Sequence, residues 1–161
     1  MDEATLAQYQ PVIGLEVHAQ LLTHSKMYSA DENEYGVAPN TNLSVITLGH
    51  PGTLPKVNRT AVEFAMKMGL ATNCQIRRDN LFARKNYFYP DLPKGYQITQ
   101  DKTPICYDGH VEIRVADGVK KIGVTRIHME EDAGKSMHLA GETETLVDLN
   151  RAGVPLIEIV S

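Results

Sequence analysis

Three short stretches carry carboxylates and imidazoles at spacings that could assemble a reactive site. Glu16 and His18 lie two apart in a run where Ile13, Leu15, Val17, Ala19 and Leu21 alternate with polar residues. A period of two marks a strand and puts both side chains on one side, about 7 Å apart. In a second stretch Arg126, His128 and Glu130 share one face, opposite Thr125, Ile127 and Met129. Glu158 stands alone among Leu156, Ile157, Ile159 and Val160, where a carboxylate is costly unless something compensates it. Two arrangements would do so. Converging carboxylates can form a hard, oxygen-rich Mg²⁺ site completed by water and phosphate oxygens, with His18 as a softer contributor. Alternatively, Glu16, Glu130 and Glu158 pair with Arg126, Arg151 or Arg114 in a buried ion network. Spacing leaves both open. Glu131 falls on the face opposite Glu130 and is the weaker choice of ligand.

Residues 82–98 form the most unusual stretch, mixing cationic, amide and aromatic side chains between two stiffening prolines. Arg84, Lys85 and Lys94 suit phosphate, and Tyr87 or Tyr89 suits stacking on a base or ribose. A tyrosine-rich packed loop with solvated lysines has the same composition. Gly134-Lys135-Ser136 has the ending of a phosphate-binding P-loop, but the glycine required five positions earlier is Met129, and no helix signal follows. Any nucleotide therefore binds on a sheet.

The elements that must carry these residues read as α+β with a mainly antiparallel sheet. Residues 12–21 are the first strand, 22–42 a long loop and 43–48 a short apolar strand. Asn58 caps a helix over about 59–71, with Thr60 and Glu63 offering a weaker capping box. Val111, Ile113 and Val115 begin a hairpin that turns at Asp117-Gly118 and returns over residues 122–130. Residues 146–149 and 154–160 supply two more strands. The chain stops inside an apolar run, which reads as truncation.

With 42% hydrophobic and 22% charged residues, the composition is that of a folded domain rather than a disordered chain. There is no apolar run of about 18 residues and no import signal, so a cytoplasmic protein is expected. Cys74 and Cys106 have neither redox nor metal spacing and read as two small core residues. The net charge of −4 argues against simple nucleic-acid coating. Acids concentrate in residues 1–36 and 129–161 and bases in 75–103, a distribution suited to a cation beside an anionic ligand.

Several runs carry a resemblance: Val12-Ile13-Gly14-Leu15-Glu16-Val17-His18, Ser25-Lys26-Met27, Pro39-Asn40-Thr41, Leu48-Gly49-His50-Pro51-Gly52, and residues 84–97, 128–135 and 147–151. In collinear order from about residue 11 onward, the chain resembles the B subunits of glutamine-dependent aspartyl/glutamyl-tRNA amidotransferases. The most specific runs are Arg84-Lys85-Asn86-Tyr87-Phe88-Tyr89-Pro90-Asp91 and His128-Met129-Glu130-Glu131-Asp132-Ala133-Gly134-Lys135.

The resemblance implies that residues 11–161 are the front of a cradle domain similar to the catalytic fold of glutamine synthetase and guanidino kinases, after a flexible 1–10. It implies ATP and Mg²⁺ as cofactors, and phosphorylation of the side-chain carboxylate of Glu-tRNA(Gln) or Asp-tRNA(Asn). Ammonia from an amidase-type glutaminase, the A subunit, then displaces phosphate, and the two are clasped by a small C subunit. Metal ligands fall on His18, Glu130 and Glu158 with Glu16 beside them, and Glu130 and Glu158 are the catalytic pair. Arg84, Lys85, Tyr87 and Lys94 lie around nucleotide phosphates or the tRNA acceptor end. Two features depart from the pattern. Ser29, Asp31, Ser44 and Thr47 stand where many relatives have zinc-binding cysteines, so structural zinc is not expected. The helical and tail domains are missing, which keeps open a non-catalytic fragment that only binds a partner or RNA.

Overall fold

A computed structural model describes residues 2–161 of the chain. In order the elements are α1 (Glu3–Leu6), β1 (Glu16–Gln20), α2 (Arg59–Ala71), β2 (Gln75–Ile76), β3 (Ala83–Asn86), β4 (Tyr96–Thr99), β5 (Cys106–Val115), β6 (Gly118–Glu131), β7 (Lys135–His138), β8 (Thr145–Asp148) and β9 (Pro155–Val160). Five strands form one sheet in the order β1-β9-β6-β5-β2, with every neighbouring pair antiparallel. Two ribbons, β3–β4 and β7–β8, stand apart from it. The fold is α+β and mainly antiparallel, as the alternation indicates.

Alternation gives this sheet two chemically different faces. Ile127, Met129 and Ile157 point into the core and are at most 1% exposed. Burying each such side chain contributes about 1.5–3 kcal/mol. They belong to one core cluster with Ala61 and Ala65 of α2. Helix α2 begins where expected: the Asn58 side chain accepts the amide hydrogens of Thr60 and Ala61 at 2.9 and 3.4 Å. Glu63 takes no part in a capping box and pairs instead with Arg59 one turn away, at 2.9 Å. Ala61, Ala65 and Gly69 give the helix a small-residue side that lets it lie close to the sheet. A Cβ added at Gly69 would strike Cys106 Sγ and approach the Ile76 side chain to 2.9 Å. Both thiols are free and buried. Burial pushes the Cys106 thiol up to about 12, helped by Cys74 and opposed by the Gly69 backbone.

Three local expectations are corrected. Residues 43–48 are a turn, not a strand: Leu48 N–H donates to Ser44 O and His50 N–H to Val45 O, both at 3.0 Å. The reason lies in Asp31 Oδ2, which accepts from the Ser44 amide and hydroxyl at 3.0 Å each and from the Thr47 hydroxyl. Only a turn aims residues three apart at one atom. The first strand starts at Glu16 rather than at position 12, because the β9 ladder begins at Glu16↔Val160 and Val12 and Ile13 remain exposed. The hairpin turn sits one residue earlier, at Ala116-Asp117, with Gly118 (φ 131°) opening the return strand opposite Val115. Near the amino terminus, the short α1 is capped by Asp2, which accepts the Thr5 N–H at 2.7 Å.

Strand β8 lies where residues 146–149 were expected to form one, whereas β3, β4 and β7 carried no alternation signal. Most of their residues are exposed or half-buried on both faces, so no apolar stripe is required.

Candidate active site

His18, Glu158 and His128 sit directly beside one another on β1, β9 and β6, since the ladder pairs His18↔Glu158 and His128↔Glu158. Glu130 is two residues along from His128, on the same face. This row lies on the side of the sheet away from Ile127, Met129 and Ile157. The His18 ring nitrogen Nε2 is 3.0 Å from Glu158 Oε2. His128 Nε2 is 3.3 Å from Glu130 Oε1 and 3.6 Å from Glu158 Oε2. One donor atom from each of His18, Glu130 and Glu158 can be chosen so that all lie within 4.8 Å of one another. That suits a single divalent ion, with carboxylate oxygens as hard ligands and one imidazole.

Glu130 is 4% exposed. Its Oε1 accepts the Thr99 hydroxyl at 2.7 Å, and Gln97 Nε2 donates to its Oε2 at 3.4 Å. Burial works against its charge. Hydrogen bonds from His128 and Thr99, with the positive charge of Lys85, outweigh burial and hold the carboxyl below its ordinary range. The group is thus an anion with mostly neutral donors around it.

Strands β3 and β4 cover part of this face and enclose an open cleft of about 550 Å³, a volume within the range of small-ligand sites. Its walls include Arg84 and Lys85 from the ribbon, and Glu16, Arg126, His128, Glu130 and Glu158 from the sheet. Cations therefore face carboxylates across a gap. Among the described residues, none of Glu16, Glu130 and Glu158 pairs with an arginine, so the ion-network arrangement is not formed. Arg151 goes to Asp132, at 3.6 Å.

The remaining residues singled out in the sequence divide. Glu16 lines the cleft but is outside the ligand group. Tyr87 is half-buried beside Lys85, whose ammonium is 5.9 Å from its ring centre. Lys94 is turned away: its side chain, 9% exposed, is paired with Glu131 and lies 5.7 and 5.4 Å from the ring centres of Tyr28 and Tyr96. The same Glu131 carboxylate accepts Ile98 N–H at 3.1 Å, tying β4 to β6. Glu130 faces the cleft and Glu131 the far side, which separates two neighbours that spacing could only rank.

Residues 11–161 match the family described as the GatB/GatE catalytic domain. The chain belongs to that family. It is 60% identical over 156 residues to the B subunit of the aspartyl/glutamyl-tRNA(Asn/Gln) amidotransferase of Oleidesulfovibrio alaskensis, covering 97% of this chain and 33% of that protein. The protein of the same name from Myxococcus xanthus is 58% identical over 156 residues, with the same coverage. That of Salinibacter ruber is 54% identical over 163 residues, covering 96% of this chain and 32% of the relative. The chain spans about one third of the length of these curated relatives.

In this GatB/GatE domain the sequence reading passed over three contributors. His128 was placed on the correct face but not among the groups that touch Glu130 and Glu158; its spacing of two from Glu130 was the available signal. Thr99 and Gln97 reach Glu130 only because the ribbon folds over the sheet, which no local pattern encodes. The positions departing from the zinc pattern also converge. Ser29 Oγ lies 3.2 Å from Thr47 Oγ1, and both Thr47 and Ser44 bond to Asp31. Burial opposes the Asp31 charge, but these hydroxyl bonds prevail and lower its pKa.

Proposed function

We propose that the chain is the nucleotide- and metal-binding part of the B subunit of a tRNA-dependent amidotransferase, the front of its cradle domain. The name shared by its relatives supports the tRNA and amide-transfer part of this reading. The single observation that carries the chemistry is the grouping of His18, Glu130 and Glu158 within 4.8 Å, in a cleft whose opposite wall holds Arg84 and Lys85.

The reaction is ATP-dependent phosphorylation of the side-chain carboxylate of Glu-tRNA(Gln) or Asp-tRNA(Asn). Ammonia from a glutaminase partner, the A subunit, then displaces phosphate, and a cytoplasmic heterotrimer is completed by a small C subunit. A carboxylate is a poor acyl donor, and phosphorylation turns one of its oxygens into a leaving group. A bound Mg²⁺ would supply fixed positive charge beside the nucleotide phosphates. His18, Glu130 and Glu158 would hold it, with Glu16 lining the same cleft beside them. Glu130 and Glu158 are the catalytic carboxylates in the sense that they hold that charge in place. Arg84 and Lys85 meet phosphoryl oxygens from the other wall, where positioning and electrostatics supply most of the rate. Tyr87 supports Lys85 in the same wall. Lys94 acts from behind it, through Glu131.

In the complete complex, Glu130→Gln or Glu158→Gln is expected to lower ATP-dependent phosphorylation of Glu-tRNA at least about 100-fold while glutaminase activity is retained. Unchanged phosphorylation in both variants would remove the assignment.

A further inference from the structure

Beyond its place in the row of site residues, His128 has no role in the reading above, and its surroundings are unusual. It is buried on a central strand of the sheet, with its side chain 6% exposed. Nε2 faces one oxygen of Glu130 at 3.3 Å and one of Glu158 at 3.6 Å. Nδ1, on the other side of the ring, is buried without a hydrogen-bond partner. These facts fix the tautomer. A bare Nε2 lone pair between two carboxylate oxygens would be repulsive, so Nε2 carries the proton. An Nδ1–H with no acceptor would leave a buried donor unsatisfied, a larger cost than a buried lone pair. His128 therefore presents one N–H to two carboxylates.

We propose that His128 is a positioning residue for the metal cluster, resting on the metal reading above. Its Nε2–H donates to Glu130 at 3.3 Å and lies 3.6 Å from Glu158, so its positive end sits between the two anions and holds them together, with or without an ion. The two glutamates come from different strands and would otherwise repel one another. The oxygens that face His128 have further partners: Thr99 at 2.7 Å on Glu130 Oε1 and His18 at 3.0 Å on Glu158 Oε2, while Gln97 donates to Glu130 Oε2 at 3.4 Å. Among the described basic side chains, His128 alone lies within 4 Å of both carboxylates. Since β6 and β9 pair His128 directly with Glu158, the bridge is built into the sheet register. Ligand-orienting hydrogen bonds of this kind are typically worth roughly 10- to 100-fold in metal affinity.

The test is Mn²⁺ titration of the complete protein, reading free Mn²⁺ by its electron paramagnetic resonance signal. Gln can place an amide N–H near the Nε2 position, whereas the shorter Asn reaches only the Nδ1 position. His128→Asn should raise the Mn²⁺ dissociation constant at least about tenfold, and His128→Gln should stay within about threefold of wild type. Equal affinities for wild type and His128→Asn, or equally weak binding by both variants, overturn the role. Should wild type itself take up no saturable Mn²⁺, the metal reading falls first and this inference with it. A measurement on the unaltered protein guards against variants that fail to fold. Nitrogen-15 NMR of the His128 ring is expected to show Nε2 protonated and Nδ1 bare, and the opposite tautomer overturns the bridge.

Discussion

Glu130 and Glu131 are chemically identical, adjacent and almost equally buried, at 4% and 3% exposure, yet they face opposite environments. Glu131 has a dedicated buried cation, Lys94, and a backbone donor from β4. Glu130 has a hydroxyl, an amide and a shared imidazole, and no ammonium or guanidinium bonded to it. The one-residue step of a strand thus divides a charge held by a buried ammonium, which fastens the ribbon to the sheet, from one held by mostly neutral donors at the wall of the cleft. Burial cannot tell these two carboxylates apart. Partner chemistry can.

The contrast breaks most visibly if Glu131 loses its charge. Glu131→Gln leaves Lys94 buried and unpaired and should cost about 3–5 kcal/mol by denaturant unfolding. Replacing the pair together, as Lys94→Met with Glu131→Leu, should recover most of that loss.

Lys26 sharpens the comparison as a second buried cation near Glu131. It is 0% exposed, and its ammonium donates to Asn42 O at 2.7 Å. Burial lowers its pKa from 10.5 to about 8, against the pull of Asp31, Asp148 and Glu131. Between those values the unfolded chain binds more protons than the folded one, so this group adds stability as pH rises. Relative to Lys26→Met, the wild type should gain roughly 2 kcal/mol between about pH 8 and pH 10, measured by paired urea titrations. A constant difference across that window would show that Lys26 keeps the proton affinity of the unfolded chain and that burial does not lower its pKa.

On the other face of the sheet, Asn58→Ala should cost only about 1 kcal/mol, the usual value of a helix cap, with no change in metal binding. The smallest change is expected at the residue with most to do. Glu130→Gln should alter unfolding free energy without metal by less than about 1 kcal/mol, because the amide oxygen can still accept the Thr99 hydroxyl and no buried ammonium is left unpaired. Metal-dependent stabilisation should disappear with it. A loss as large as that of Glu131→Gln would erase the distinction between the two neighbours.

What the sequence disclosed follows the range of the forces involved. Alternation placed His18, Glu130 and Glu158 on one side of their strands, and the ladder then brought them together. The helix at Asn58 was readable because its cap and its apolar side are both local. The turn at 43–48 was not, because an apolar run is consistent with a strand until Asp31 is seen to gather Ser44 and Thr47. Lys94 was misplaced for a similar reason. A lysine among tyrosines suits phosphate equally well, and only the ribbon crossing the sheet brings it to Glu131. Thr99 at Glu130 depends on that same crossing, and the bridge at His128 on the register of β6 with β9.

The two thiols have a practical consequence. Cys106 is fully enclosed beneath Gly69, with its Sγ 3.6 Å from the Ala65 carbonyl oxygen it donates to, and its thiolate is suppressed by burial. Alkylating reagents attack thiolates that they can reach. Cys106 is therefore silent while α2 rests on the sheet and reactive once it lifts, so a brief pulse of iodoacetamide becomes a clock for the opening of the helix-covered side.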